Sequence, residues 1–125
     1  NAIRDWGYAA DYVVAMWKML QQDDPRDTLI GTGQSASVRD FLNWSFSSVG
    51  LNWEDYVKFD ERYLRPAEVE DLKAHIDDST RLLFGIEQFV GPEELAQLMV
   101  RSDLAFLSGQ EIDVPESKIW QKELE

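Results

Sequence analysis

The chain has 125 residues, 44% hydrophobic and 12% aromatic, which makes one domain with apolar material for a modest core. Twenty-four acidic against twelve basic residues leave a net charge of −12, which excludes nucleic-acid backbones and anionic membranes as partners by repulsion. Cysteine is missing, so disulfides and thiolate metal sites are excluded, in keeping with a cytoplasmic location. No apolar run approaches the ~18 residues of a membrane span, and no basic-then-apolar signal opens the chain. It starts at Asn1 rather than Met, which reads as a processed or cut product.

In chain order, the first predicted helix covers Ala9 to Gln22. Tyr12, Val13, Met16, Trp17 and Leu20 recur at i, i+3 and i+4 and form one apolar stripe, with Trp17 assigned to the core. Pro25 in "QQDDPRD" bars its continuation. "TLIG" reads as a short strand. The second helix runs from about Val38 to Val49, opened by a Ser37/Asp40 capping box and stopped by Gly50, with Phe41, Leu42, Phe46 and Val49 on its buried side.

"YVKFD" alternates apolar and polar residues and reads as a strand. "ERYLRPAEV" reads as extended, because the residue before a proline avoids the helical region. A short helix is expected from about Ser79 to Phe84, capped by Asp77 or Asp78 and stopped by Gly85. The last helix opens at Gly91-Pro92-Glu93-Glu94, with proline in the first turn and acids at the positive end of the dipole. Leu95, Leu98, Met99, Leu104 and Leu107 follow at helical spacing to Ser108-Gly109. The polar tail, residues 109–125, reads as either a docked arm or a frayed end. The expected class is α+β, mainly helical with a few short strands. Strands so short do not make a stable sheet alone and point to a missing partner domain.

Few motifs carry chemistry. "GTGQSA", Gly31 to Ala36, fits a dinucleotide fingerprint in form, but the strands a nucleotide-binding sheet needs do not follow it. It reads as a turn between strand and helix. His75 is the only histidine, and no nucleophile elbow accompanies it, so it reads as a surface residue. Neither the EF-hand spacing nor a His-containing metal motif occurs, and the carboxylates read as solvated faces. Trp6 is read equally as a stacking platform and as packing under the first helix.

Two arginines stand out. A guanidinium is a planar fork of donors that matches phosphate oxygens. Arg4 immediately precedes the first helix, whose N-terminus adds partial positive charge. Arg65 is restrained by Pro66, with Glu68 three positions on. The pattern alone reads them as structural arginines paired with acids such as Asp5 and Glu68.

"RDWGYAADYVVAMWKMLQ", "GTGQSASVRDF" and "VKFDERYLRPAEVEDL" resemble, in order and spacing, the C-terminal part of GDP-mannose 4,6-dehydratases, within the extended short-chain dehydrogenase/reductase group. The resemblance covers residues 1 to 108. It implies a sugar-nucleotide substrate-binding domain over 1–108, a tail over 109–125, and an N-terminal Rossmann-type NAD(P)-binding domain that is absent from this chain. Such enzymes oxidise C4 of the mannose with NADP, eliminate water across C5 and C6, and return the hydride to C6.

By this resemblance Arg4 and Arg65 hold the GDP diphosphate and Glu68 fixes the nucleoside end, while Arg39 in S-V-R-D-F is at least as well read as structural. The catalytic and cofactor residues belong to the missing domain; none of Tyr8, Tyr12, Tyr56 or Tyr63 has lysine four positions on. GDP-mannose is the implied ligand, and a homo-oligomer the implied assembly. "FGIEQ" and "HIDDSTRLL" depart from the family's usual L-G-W-K-P and G-D-x-(S/T)-K-A stretches. The rival readings are a related sugar-nucleotide epimerase or reductase fragment and a non-catalytic acidic interaction domain.

Overall fold

The computed structural model describes residues 2–63, 71–78, 80–81, 89–112 and 114–121. The elements are β1 (Ile3–Asp5), α1 (Ala9–Leu20), β2 (Ser35–Ser37), α2 (Val38–Ser47), β3 (Asp71–Leu72), α3 (Pro92–Leu107) and α4 (Lys118–Gln121). Single 3-10 turns occur at Trp53–Asp55 and Glu61–Tyr63. The three strands form one sheet in the order β2-β1-β3. β2 pairs antiparallel with β1 and β3 pairs parallel to it, with Arg4 opposite Ala36 on one side and Leu72 on the other.

Local chemistry fixes the helix ends. The Ser37 hydroxyl accepts the Asp40 N–H at 3.1 Å, while the Asp40 carboxylate accepts the Ser37 N–H at 3.0 Å, which is the expected capping box. Past α2 the chain turns at Gly50, whose φ of 73° is a conformation that glycine adopts without strain. α3 has Pro92 in its first turn beside Glu93 and Glu94, and Gly109, at φ 69°, follows its end. Asp77 caps the next helical turn by accepting the Thr80 N–H at 2.7 Å; most of the helix expected over 79–84 lies outside the described residues.

Among the described residues, two small apolar clusters form the core. Ala15, Ile76, Phe89 and Ile119 are buried together under Val14, Met19 and Ile30. Tyr8, Val90 and Leu95 are buried with Trp6, Ala10, Phe41 and Leu98 packed against them. Ile119 lies in the tail, so the tail is docked around Ser117–Ile119: Ser117 is buried, and Lys118 pairs with Glu94 at 2.6 Å, whereas Ile112 and Val114 are exposed.

α1 turns the opposite way from the periodicity reading. Its buried residues are Asp11, Ala15 and Lys18, whereas Val13, Met16, Trp17 and Leu20 are exposed, Leu20 to 82%. The inner polar group is satisfied: Asp11 accepts the Val90 N–H at 3.0 Å, the Ser117 hydroxyl at 2.7 Å and the Lys118 N–H at 3.0 Å. Ala15 is small enough to let the helix approach its neighbours. Polarity therefore gave the wrong face, because the partners that satisfy Asp11 are distant in sequence.

Three further expectations are corrected. "TLIG" is not a strand; Leu29 is exposed, and the place beside β1 is taken by Ser35–Ser37. "YVKFD" is irregular after the 3-10 turn, with Tyr56 and Phe59 exposed, so its alternation matches no two-faced sheet. In "ERYLRPAEV" the described part is not extended: Glu61–Tyr63 winds into a 3-10 turn as Asp60 accepts the Arg62 N–H at 3.0 Å. Burial in α2 is only partial for Phe41, Leu42 and Phe46, and Val49 is exposed. In α3, Leu95 is buried but Met99, Leu104 and Leu107 are exposed.

Candidate functional site

Arg4 is the second residue of β1, the central strand, and is half-buried. Its Nη1 donates to the Ile3 carbonyl at 2.7 Å, which restrains the guanidinium against the backbone. Side chains alternate along a strand, so Arg4 and Asp5 belong to opposite faces of the sheet. Arg65 and Glu68, the other two candidates, lie outside the described residues. β3 begins at Asp71, three positions after Glu68, and its Leu72 is registered directly against Arg4.

Asp5 turns out to be the organiser of this region, and sequence reading missed it. Its Oδ1 accepts the Thr32 N–H at 2.8 Å and the Thr32 hydroxyl at 2.6 Å. Its Oδ2 accepts the Gly33 N–H at 2.8 Å and the Ala74 N–H at 3.2 Å. One carboxylate thus ties β1 to the loop before β2 and to the segment after β3. The local signal was the pairing of Asp5 with a downstream Gly-Thr-Gly turn, whose N–H groups form a ready anion nest.

The same bonds decide the "GTGQSA" question. In a dinucleotide loop the glycine N–H groups would face a phosphate. Here the Thr32 and Gly33 N–H groups are taken by the Asp5 carboxylate, a negative group that also repels phosphate. Gly31 is required for a different reason: a Cβ there would meet the Ala74 Cβ at 2.1 Å. The stretch is a turn packed on its neighbour, and its residues do not fit a cofactor.

The remaining candidates are structural. Trp6 donates its indole N–H to the Ala36 carbonyl at 2.9 Å and stacks on Phe41 with ring centroids 4.1 Å apart, so it holds α2 against the sheet. Arg39 lies over the Trp53 ring at 5.6 Å, a cation–π contact near the surface. His75 is exposed, as expected. An open recess of about 550 Å³ at the start of α3 includes Trp44, Glu93, Glu94 and Lys118, but its carboxylates oppose an anionic ligand. Among the described residues, no group of three or more His, Cys, Asp or Glu side chains is placed to hold a metal ion. Nor, among them, is any helix long and apolar enough to cross a membrane.

Two tyrosines behind the Asp5 region titrate high. Burial pushes the Tyr12 hydroxyl above its ordinary value, and the Asp5 and Asp11 carboxylates add to the effect. Tyr8 is raised by burial first and then by Asp11. Both phenols stay protonated near neutrality; the Tyr8 hydroxyl donates to the Pro115 carbonyl at 2.7 Å.

Comparison with known proteins puts this geometry in context. The family model described as GDP-mannose 4,6 dehydratase matches residues 1–99. The chain is 46% identical to GDP-mannose 4,6 dehydratase 1 of Arabidopsis thaliana over 112 residues, covering 90% of this chain and 31% of that protein. It is 40% identical to GDP-mannose 4,6 dehydratase 2 of Caenorhabditis elegans over 123 residues, covering 86% of this chain and 32% of that protein. It is 36% identical to the Homo sapiens GDP-mannose 4,6 dehydratase over 124 residues, covering 86% and 33%. The chain thus spans about a third of the length of the curated relatives it matches. It belongs to the GDP-mannose 4,6 dehydratase family.

Proposed function

We propose that this chain is the substrate-binding portion of a GDP-mannose 4,6-dehydratase, a lyase that converts GDP-mannose to GDP-4-keto-6-deoxymannose. Arg4 and Arg65 grip the diphosphate, and Glu68 fixes the nucleoside end. Residues 1–108 form the binding unit and 109–125 its tail. NADP supplies a hydride acceptor and donor, held on a Rossmann-type domain outside this chain. The whole enzyme is a cytoplasmic homo-oligomer.

The observation that supports the reading is the register of Arg4 against Leu72. It brings Asp71–Leu72, the end of the "VKFDERYLRPAEVEDL" stretch, alongside the strand that carries Arg4. Asp5 holds that junction through Thr32, Gly33 and Ala74, which limits the freedom lost when Arg4 engages a ligand. Phosphate oxygens would accept from the Arg4 guanidinium, with charge-assisted bonds worth roughly 1.5–3 kcal/mol each.

Titration calorimetry with GDP tests the assignment. The chain should bind GDP weakly, and Arg4→Ala and Arg65→Ala should each weaken binding roughly 10- to 100-fold. The same chain should catalyse no dehydration. Absence of GDP binding, or an Arg65→Ala variant that binds as the parent does, would overturn it. UDP- or dTDP-sugars binding better than GDP-mannose would favour an epimerase or reductase.

A further inference from the structure

The residues registered against Arg4 differ on the two sides of β1. Ala36 of β2 is small and only 7% exposed, whereas Leu72 of β3 is large and 52% exposed. Residues in direct register send their side chains to the same face, with neighbouring strands about 4.8 Å apart. Ala36, Arg4 and Leu72 therefore form one row across the face that carries the guanidinium. The row is closed at β2 and open at β3, the last strand in the order β2-β1-β3.

The opposite face of β1 is already occupied there. Asp5 commits both carboxylate oxygens to Thr32, Gly33 and Ala74, so a ligand held by Arg4 approaches on the side of Leu72. Among the described residues, Leu72 is also the one large exposed apolar side chain that lies in a strand; the others are on helices, turns and the tail. An exposed leucine is ordinary in itself. What sets this one apart is its register with a residue that grips the ligand.

We infer that Leu72 is a specificity-determining residue of the sugar-nucleotide site, the apolar wall against which the hexose packs. The inference rests on the functional reading above and supplies a contact for the part of the ligand which that reading leaves without one. Glu68 is assigned to the nucleoside end, and Arg4 and Arg65 to the diphosphate. The group that continues from the diphosphate away from the nucleoside is the hexose. A pyranose ring carries C–H groups on its faces, and an aliphatic side chain packs on these while offering no donor or acceptor to a hydroxyl. Leu72 therefore selects by size and shape, and leaves recognition of individual hydroxyls to other groups.

Titration calorimetry with GDP and with GDP-mannose, on the same chain, separates the hexose from the nucleotide. Leu72→Ala should weaken GDP-mannose binding roughly three- to tenfold and leave GDP binding within about twofold of the parent. Leu72→Val keeps an apolar wall in a strand, so it should hold the ratio of the two affinities within about twofold of the parent. Leu29→Ala, at a leucine 63% exposed and outside the sheet, is the control and should leave both ligands unchanged. An unmoved ratio in Leu72→Ala would overturn the inference. So would equal weakening of both ligands, which would make Leu72 a support for the strand or the nucleotide, or the same shift of ratio in Leu29→Ala. A parent that binds GDP with a ratio insensitive to position 72 removes this inference and keeps the functional reading. A parent that binds neither ligand removes the functional reading, and this inference with it.

Discussion

The Asp11 carboxylate, fully buried on the inner face of α1, accepts the Ser117 hydroxyl at 2.7 Å across 106 residues of chain. With the Val90 and Lys118 N–H groups also directed at Asp11, one side chain fastens α1 to the approach of α3 and to the tail. Removing it strands three donors. Each hydrogen bond to a charged group contributes about 1.5–3 kcal/mol. Asp11→Ala is therefore expected to cost at least ~3 kcal/mol in urea unfolding and to release the tail to early proteolysis. Ser117→Ala leaves two of the three donors and should cost about 1–2 kcal/mol. A variant Asp11→Ala as stable as the parent would show that the tail does not hold the fold.

Asp5 does the same for the sheet. Asp5→Ala leaves the Thr32, Gly33 and Ala74 N–H groups without their acceptor. Hydrogen exchange at those three amides should accelerate well beyond the change at α3, where Asp5 makes no bond. Gly31→Ala probes the same junction from the packing side. The added Cβ would overlap Ala74, and the backbone must shift, at about 1–3 kcal/mol. Gly50→Ala meets no atom but is held at positive φ, so its cost of roughly 1 kcal/mol would come from the backbone alone.

These two carboxylates also mark where the sequence was opaque. Helix ends were legible because their signals are local: Ser37 with Asp40, Gly50, and Gly91 before Pro92 all act within a few residues. The strands were not legible. "IRD" and "SAS" have no pattern of their own and pair because Asp5 gathers the loops around β1. The buried face of α1 was misread because the groups that satisfy Asp11 lie at 90, 117 and 118, beyond any window of periodicity. Trp17 followed the same error. Arg4 was singled out by its place before the first helix, whereas its role in holding a diphosphate came from the family motif.

The capping box makes a pH-dependent contribution. Hydrogen bonds from the Ser37 side chain and backbone hold the Asp40 carboxyl below its ordinary value. A depressed carboxyl stabilises the fold above its unfolded pKa, and this part is lost as pH falls through the folded value. Ser37→Ala should cost about 1 kcal/mol near pH 7, roughly 4 °C in melting temperature. The gap between parent and variant should narrow as pH falls from the ordinary carboxyl value of 3.8 through the lower folded one, below which Asp40 is protonated in both. Thermal melts at pH 7 and pH 3 would check it; a gap that is constant or widens would mean that Asp40 does not take part.

At alkaline pH the tyrosines reverse the sign. Burial raises the Tyr8 hydroxyl above its ordinary value of 10.0, with Asp11 adding to it, and Tyr12 is raised by burial together with Asp5 and Asp11. A phenol whose pKa is raised on folding favours the folded state fully below the unfolded value, and that contribution is lost as pH climbs through the folded one. Stability should therefore fall steadily above pH 10. Tyrosinate absorbance should show two groups ionising late, with the tail released as they do, because ionised Tyr8 can no longer donate to the Pro115 carbonyl. Tyr8→Phe removes that donor at all pH values. It should flatten part of the alkaline loss while lowering stability at pH 7 by about 1 kcal/mol. An alkaline profile identical in Tyr8→Phe and parent would assign the loss to Tyr12 alone.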